Sequence, residues 1–202
     1  ADACTITGFG PGNMVQLSTA LAAAYSVSLG HDAIRSAEVV HLSRNMLISG
    51  DDLSHVPCSG GATCTHGLHT IGIGSTHVQR VEYTRVEKCG QRGSLGRYCL
   101  HFHLQSRCPS CYFRGNAIEH GHQRGIVIHG THQARVEENV IFGVRGAGIY
   151  VEDGNEMGNV ISHNVVICPW SREGPLRGCT VPGTDNAEAD TVLNQAGLWA
   201  LP

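Results

Sequence analysis

The chain has 202 residues, of which 15% are charged, and this length is enough for a domain with a sizeable apolar core. Its formal net charge of −3 and the lack of any lysine or arginine run argue against nucleic acid as a partner. No apolar run approaches the roughly 18 residues that a membrane-spanning helix requires. The 26 glycines instead favour many short strands joined by turns.

Nine cysteines and 13 histidines stand out in this composition. The single CxxC, formed by Cys108 and Cys111, has no second cysteine pair with which to build a zinc ribbon. Disulfides of a secreted protein fit the count better, and we interpret the CxxC as a structural disulfide. Because nine is odd, we expect one thiol to be free or bonded to another chain. The chain also starts without Met, so we expect it to be part of a larger extracellular protein.

In chain order, residues 1–35 contain a Gly/Pro turn and an Ala-rich run, for which we predict strands. Residues 37–50 have the spacing of a first coil, and residues 68–87 have that of a second. Between them, residues 51–67 predict a polar loop whose two cysteines form a disulfide, with metal binding as the alternative. Residues 88–98 break the period and predict a loop insertion on one face of the molecule.

The clearest signal is a repeat over residues 99–154. Asn116, Asn139 and Asn164 follow one another at steps of 23 and 25 residues, among short apolar runs and Gly turns. A period of about 20 to 25 residues built in this way is typical of a β-solenoid, in which stacked coils bury a continuous core. The asparagines then form an internal turn ladder, since Asn accepts left-handed backbone and bonds to neighbouring main chain. Arg124, which precedes a turn glycine, is interpreted as structural.

We therefore predict an all-β fold, a parallel β-helix with irregular loop insertions. It extends over residues 1–202 as a single domain or fragment. The clearest coils lie at 15–167, and residues 168–202 are rich in turn formers, which predicts a loop-rich end or cap.

Strand parity assigns the side chains to the two faces of the coils, since side chains alternate across a strand and neighbouring strands lie about 4.8 Å apart. We align three strands by their inward apolar residues, which are Leu100 and Phe102, Ile126 and Ile128, and Ile149 and Val151. The outward residues are then His101 and His103, Val127 and His129, and Tyr150 and Glu152.

A column of His103, His129 and Glu152 on one outer face follows from this alignment, with Asp153 at the strand end beside it. Glycines in the run 71–74 of the preceding coil predict a shallow groove beneath the column. Imidazoles and a carboxylate at this spacing suit a divalent metal, zinc or calcium, held by His103, His129 and Asp153. The same three residues suit acid and base catalysis. A solvated polar ladder is the third interpretation.

Several motifs resemble a known family. The run Gly-Arg-Tyr-Cys-Leu-His-Phe-His at 96–103, the run His-Gly-Thr-His at 129–132 and the run Val-Glu-Asp-Gly at 151–154 resemble the eight-glycine-domain (G8) and parallel β-helix repeat proteins. That family includes the cell-migration-inducing hyaluronidase, its transmembrane relative and fibrocystin-type surface proteins. The resemblance covers residues 15–167 and departs from the family motif at Cys99, where members commonly have proline.

The resemblance implies a right-handed parallel β-helix that is extracellular or on the cell surface and, in some members, binding or depolymerisation of hyaluronan. The family's histidine and aspartate positions are matched by His101, His103, His129, His132 and Asp153. The candidate catalytic residues are His103, His129 and Asp153. The candidate substrate contacts are Arg97, His101, His132, Tyr150 and Glu152, of which Tyr150 is expected to stack on a sugar ring.

Two functions remain open at this point, because a fold alone does not define an activity. A secreted or cell-surface module that binds a polysaccharide, with hyaluronidase-like cleavage as a further activity, fits the histidine column. A structural or adhesive module of a larger assembly, with other extracellular chains as partners, fits the odd cysteine count.

Overall fold

The structure is a computed structural model that describes residues 4–22, 28–29, 34–35, 39–51, 67–91, 94–168 and 197–200. The expected disulfide between Cys58 and Cys64 and most of the expected loop-rich end lie outside these residues. Packing divides the chain into two compact units, Ala1–Val40 and His41–Pro202.

The first unit contains antiparallel strands. They are β1 (Ile6–Gly10), β2 (Met14–Leu17), β3 (Ser28–Leu29) and β4 (Ile34–Arg35). β1 pairs with β2 across a short 3-10 turn at Pro11–Asn13, and β3 pairs with β4. So short a reversal allows only antiparallel pairing, because parallel neighbours need a long crossover. The strand predicted after the Ala-rich run is found at Ser28–Leu29, but residues 18–22 of the run itself form no strand, and residues 15–17 belong to a hairpin and not to a parallel coil.

The second unit is a stack of coils, each of which passes through three sheets. In chain order its strands are β5 (Met46–Ser49), β6 (Gly72–Ile73), β7 (Arg80–Glu82), β8 (Thr84–Glu87), β9 (Leu100–Arg107), β10 (Tyr112–Arg114), β11 (Ala117–Glu119), β12 (Ile126–His132), β13 (Arg135–Glu137), β14 (Val140–Phe142), β15 (Ile149–Val151), β16 (Val160–Ser162), β17 (Val165–Ile167) and β18 (Leu198–Ala200).

Three parallel sheets result from this path. Sheet A has the order β6-β9-β12-β15-β18, sheet B has the order β7-β10-β13-β16, and sheet C has the order β5-β8-β11-β14-β17. All strand pairs within them are parallel. The second unit is therefore a parallel β-helix, as the repeat predicted. Among the described residues its first strand is β5, which lies inside the first coil predicted at 37–50.

The core of the β-helix is built from side chains that stack from coil to coil. Leu100 pairs with Ile126 and Phe102 pairs with Ile128, which is the predicted register, and all four side chains are fully buried. The ring of Phe102 also lies parallel to that of Phe113, with ring centres 3.9 Å apart, so sheets A and B share one core.

Two disulfides lie against this core. Cys89–Cys99 joins the ends of the inserted loop, across a sequence separation of 10, and Cys108–Cys111 confirms the structural interpretation of the CxxC. Cys4 is the free cysteine among the described residues. The Cys89–Cys99 disulfide closes the inserted loop and so restricts the conformations of the unfolded chain. In the folded protein it holds the two ends of this loop together.

Asparagines at the corner between sheets B and C form a ladder of hydrogen bonds. Asn139 Oδ1 accepts from the backbone N–H and from Nδ2 of Asn116, each at 3.0 Å. Asn139 Nδ2 donates to the Phe113 carbonyl and to Asn164 Oδ1, each at 2.9 Å. In the preceding coil Thr84 occupies the position equivalent to that of Asn116, and its backbone N–H donates to Asn116 Oδ1. The ladder confirms the predicted role of these residues and holds neighbouring coils in register.

Replacing Asn139 by Ala should lower the free energy of unfolding by about 2–4 kcal/mol, because each buried group that loses its partner costs about 1–3 kcal/mol. The groups that lose a partner are the Asn116 N–H and the Phe113 carbonyl. Urea denaturation measures the effect. The matched control is Asn155→Ala, an exposed asparagine for which we expect a change within about 0.5 kcal/mol. Equal losses in both variants would contradict a stabilising ladder.

Candidate functional site

The outer face of sheet A brings three histidines together from two neighbouring coils. His101 and His103 lie two residues apart on β9 and therefore point to the same side of the sheet. The parallel register places His129 of β12 directly beside His103, and Val127 beside His101. The ring centres lie 5.0 Å apart for His101 and His103 and 4.6 Å apart for His103 and His129.

Two carboxylates from the next coil adjoin these rings. Glu152 and Asp153 follow β15, and the Glu152 N–H donates to the Ile128 carbonyl at 3.0 Å. His129 Nε2 lies 3.1 Å from Asp153 Oδ2, and His129 Nδ1 lies 3.8 Å from Glu152 Oε2. His129 Nδ1 is also 3.0 Å from His103 Nδ1. His129 thus lies at the centre of the cluster, with a different neighbour on each side.

His101 forms the buried side of the cluster, with 1% of its surface exposed. Its Nδ1 lies 3.1 Å from the Gly96 carbonyl and must donate, since a carbonyl can only accept. Its Nε2 is buried and has no hydrogen-bond partner among the described residues. Burial lowers the pKa of His101 to about 3, although the bond to Gly96 acts in the opposite direction. Burial, followed by the neighbouring His129, also lowers the pKa of His103.

A wall of aromatic and cationic side chains covers this buried side. The Tyr98 ring lies 4.9 Å from that of His101. Arg124 Nη1 donates to the Tyr98 hydroxyl at 2.7 Å, and its guanidinium lies 4.0 Å from the centre of the Tyr150 ring. The Tyr98 hydroxyl donates to Glu152 Oε1 at 3.4 Å. Burial raises the pKa of Tyr98 and that of Glu152, and Arg124 opposes both shifts. The wall therefore positions the Glu152 carboxylate.

The prediction of a shallow groove beneath the column of His103, His129 and Glu152 is wrong. Gly72 pairs with the inward residue Phe102, and Ile73 lies beside His103. The Ile73 side chain is 56% exposed, so an apolar side chain occupies the place where the sequence predicted glycine.

Among the expected substrate contacts, Tyr150 is covered, and the side chains of Arg97 and His132 bond to residues outside the histidine cluster. Tyr150 is 6% exposed, with Trp199 against its ring, so it does not present a face to a sugar. Arg97 is exposed, and its Nη1 lies 2.6 Å from His69 Nε2. His132 lies beyond the β-bulge that follows His129, and its Nδ1 accepts from a main-chain N–H of the turn before β16.

Sequence reasoning missed three residues of the site. Glu156 Oε1 accepts from the N–H groups of Gly130 and Asp153, at 3.0 and 3.2 Å, and so closes the turn that carries Asp153. Tyr98 belongs to the motif Gly-Arg-Tyr-Cys-Leu-His-Phe-His at 96–103, so its place beside His101 in this motif could have indicated a role in the site. Arg124 was placed at a turn, but its contact with Tyr98 is visible only in three dimensions.

The cluster has the composition of a metal site. One nitrogen from each of His101, His103 and His129 lies within 4.8 Å of the other two. The set expected from the sequence had Asp153 in place of His101. In the structure Asp153 contacts His129 Nε2, whereas the nitrogen that faces His103 is Nδ1. The cluster can also transfer protons through the His129 and Asp153 pair.

Fold and site together define a β-helix module with an imidazole and carboxylate cluster on one outer face. The CEMIP beta-helix family matches residues 64–194, and the chain belongs to this family, as its histidine motifs indicated. No helix among the described residues is both long and apolar enough to cross a membrane.

Similar proteins are much longer than this chain. Fibrocystin-L of Homo sapiens is 33% identical over a 162-residue alignment, and the match covers 65% of this chain and 4% of that protein. Protein rliB of Dictyostelium discoideum is 34% identical over 160 residues, which cover 79% of this chain and 13% of that protein. A G8 domain-containing protein of Dictyostelium discoideum is 29% identical over 164 residues, which cover 81% of this chain and 14% of that protein. The chain therefore spans a small part of the relatives that it matches.

Acid should destabilise the protein through His101. Its pKa is about 3 in the folded protein, against 6.5 for an ordinary histidine. The unfolded chain binds more protons between these values, so the free energy of unfolding falls as the pH drops from 6.5 towards 3. Within this window each pH unit lowers it by up to about 1.4 kcal/mol.

Urea denaturation from about pH 4 to pH 7, in the presence of a chelator, measures this dependence. His101→Gln is the comparison, because it keeps an N–H donor and does not titrate. The variant should lose part of the acid dependence. If both proteins show the same slope of stability against pH, His101 does not cause it.

Proposed function

We propose that this chain is a secreted or cell-surface β-helix module that binds a hyaluronan-like polysaccharide at the histidine and carboxylate cluster of sheet A. The observation that carries the proposal is the contact of His129 Nε2 with Asp153 Oδ2 at 3.1 Å, beside the half-buried His103, in a member of the CEMIP beta-helix family. These groups are open to solvent on one side, since 40% of the Asp153 side chain and 23% of the His129 side chain are exposed.

The shape of the site supports a linear polymer as the ligand. Its polar groups follow one another along the coil stack, at a spacing of about 4.8 Å per strand. His103, His129 and Glu152 occupy successive coils on the same face. A polysaccharide presents hydroxyl and amide groups at regular intervals, so an array of donors and acceptors along one direction can contact several of them at once.

Placement outside the cell is supported by the disulfides Cys89–Cys99 and Cys108–Cys111. Disulfides form and persist in secreted proteins and on cell surfaces, and they are rare in the cytosol. Hyaluronan-like polymers are found in the same extracellular space.

Cleavage of the bound polymer is the second part of the proposal. Hydrolysis of a glycosidic bond needs one group that donates a proton to the leaving oxygen and another that activates water. Asp153 accepts from His129 Nε2 and so orients this imidazole, the arrangement in which a third group directs a catalytic base. His103 lies on the opposite side of His129, within reach of the same substrate.

A structural or adhesive module in an assembly of extracellular chains is the alternative. It is favoured by the free thiol of Cys4 and by the small share of Fibrocystin-L that the chain matches, which is 4%. In that case the partners are other protein chains, and the site residues have no ligand.

Glycan binding and polymer cleavage test the proposal together. His129→Ala and Asp153→Asn should each weaken binding to hyaluronan oligosaccharides on a glycan array by roughly tenfold or more, about 1.4 kcal/mol. They should also slow the release of short products, measured by size-exclusion chromatography, by about 10²-fold or more. Glu138→Gln, an exposed carboxylate at the corner between sheets B and C, is the matched control and should behave as wild type.

The outcomes separate the two functions. Unchanged glycan binding and unchanged product release in both site variants would exclude the cluster as the glycan site. A wild-type chain that binds no glycan on the array but forms disulfide-linked oligomers through Cys4 would favour the structural module.

A further inference from the structure

We propose that His101, His103 and His129 bind one zinc ion, with Glu152 as the fourth ligand and Asp153 as the hydrogen-bond partner that orients His129. This site differs from the set expected from the sequence, because His101 replaces Asp153 as a ligand. It goes beyond glycan binding and can be tested without any glycan.

The orientation of His101 is the first argument. A buried nitrogen without a hydrogen-bond partner is unfavourable by about 1–3 kcal/mol, so its presence calls for a function. His101 Nδ1 donates to the Gly96 carbonyl, which leaves the lone pair of the buried Nε2 without a partner among the described residues. One ring nitrogen of His101 lies within 4.8 Å of a nitrogen of each of the other two histidines. A metal-binding imidazole typically has this pattern, with one nitrogen donating to a carbonyl or carboxylate and the other free to bind the ion.

His129 has the same pattern with a carboxylate as its partner. Its Nε2 lies 3.1 Å from Asp153 Oδ2 and therefore donates to it, which leaves the lone pair on Nδ1. That Nδ1 lies 3.0 Å from His103 Nδ1. Two nitrogens bound to one tetrahedral zinc ion lie about 3.3 Å apart, because each Zn–N bond is about 2.0–2.1 Å long. The pair is therefore already close to the separation that an ion requires.

Glu152 is the carboxylate beside His129 Nδ1, and a rotation of its side chain towards the three imidazoles would supply the fourth donor. Its Oε2 lies 3.8 Å from His129 Nδ1 and accepts no hydrogen bond from the described residues. Its other oxygen, Oε1, accepts from the Tyr98 hydroxyl. Tyr98 is thus a positioning residue that turns the unbonded oxygen towards the imidazoles.

The donor set selects the kind of ion. Three imidazole nitrogens and one carboxylate oxygen match zinc and neighbouring transition metals. Calcium prefers six to eight oxygen ligands, and the cluster offers too few of them. Of the two ions considered from the sequence, the geometry therefore favours zinc.

The fold supplies the rigidity that such a site needs. His101 and His103 are on β9, His129 is on β12, and Glu152 directly follows β15. These are neighbouring strands of sheet A, so main-chain hydrogen bonds set the spacing of the ligands. Bound zinc would connect three successive coils.

Metal titration of the full 202-residue chain tests the site. After removal of metal with a chelator, wild type should bind one zinc ion per chain, measured by competition with a chromophoric chelator and by elemental analysis. Cobalt in place of zinc should give the visible absorption of a tetrahedral site. His101→Ala and His103→Ala should weaken zinc binding by more than roughly 100-fold, beyond the loss of about 10- to 100-fold typical of outer partners, which we expect for Asp153→Asn.

Two controls keep the result interpretable. His163→Asn replaces an exposed histidine with positive φ by another residue that accepts this backbone, and it should bind zinc as wild type does. His103 is half-buried, so His103→Ala should fold even if His101→Ala does not, and circular dichroism checks both variants.

Several results would overturn the site. They are an absence of zinc binding by wild type, wild-type affinity in the folded His103→Ala variant, and tighter binding of calcium than of zinc. Zinc binding by a protein that binds no glycan would support the metal site and exclude only the proposed glycan function.

Discussion

The parallel, in-register pairing of neighbouring coils is the constraint on which the site depends. Main-chain hydrogen bonds hold β9 and β12 about 4.8 Å apart, so His103 and His129 meet because their strands are neighbours. A slip of one residue would send these side chains to the core and bring Phe102 to the outside. The asparagine ladder at the corner between sheets B and C opposes such a slip, because a shift of one residue would separate each asparagine oxygen from the N–H group that it accepts from.

The coil period and the alternation of side chains were readable from the sequence, since both are local patterns. They predicted the parallel β-helix and the neighbouring positions of His103 and His129. Alternation shows on which side of a sheet a residue lies, but it does not show what covers that side. Tyr150 is outward by parity and yet buried, because Arg124 and Trp199 pack against its ring. The sequence did not predict which residue of β6 lies beside His103. A strand of two residues is too short to show the alternation of inward and outward side chains from which its register could be predicted.

The site combines a buried half with an open half, and each is suited to a different task. His101 and Tyr98 are excluded from water, so their orientations are set by packing and by the hydrogen bonds that they form. Asp153 is partly exposed at the other end and can be reached from solvent. Burying polar groups is unfavourable unless they are partnered, and such exceptions to the usual rules of a stable core tend to mark functional positions. The local patterns of the sequence could not show this asymmetry, because the covering residues come from turns.

In a solenoid each coil touches only the coils directly before and after it, so stability behaves like that of a one-dimensional row of coupled units. Such a row opens most readily at its ends, where a unit has a single neighbour. The cluster draws on β9, β12 and the residue after β15, the three inner strands of the five described in sheet A. Fraying that detaches β6 or β18 therefore leaves the histidines and their carboxylates in place. Among the described coils, the histidine and carboxylate cluster therefore lies where opening of the stack comes last.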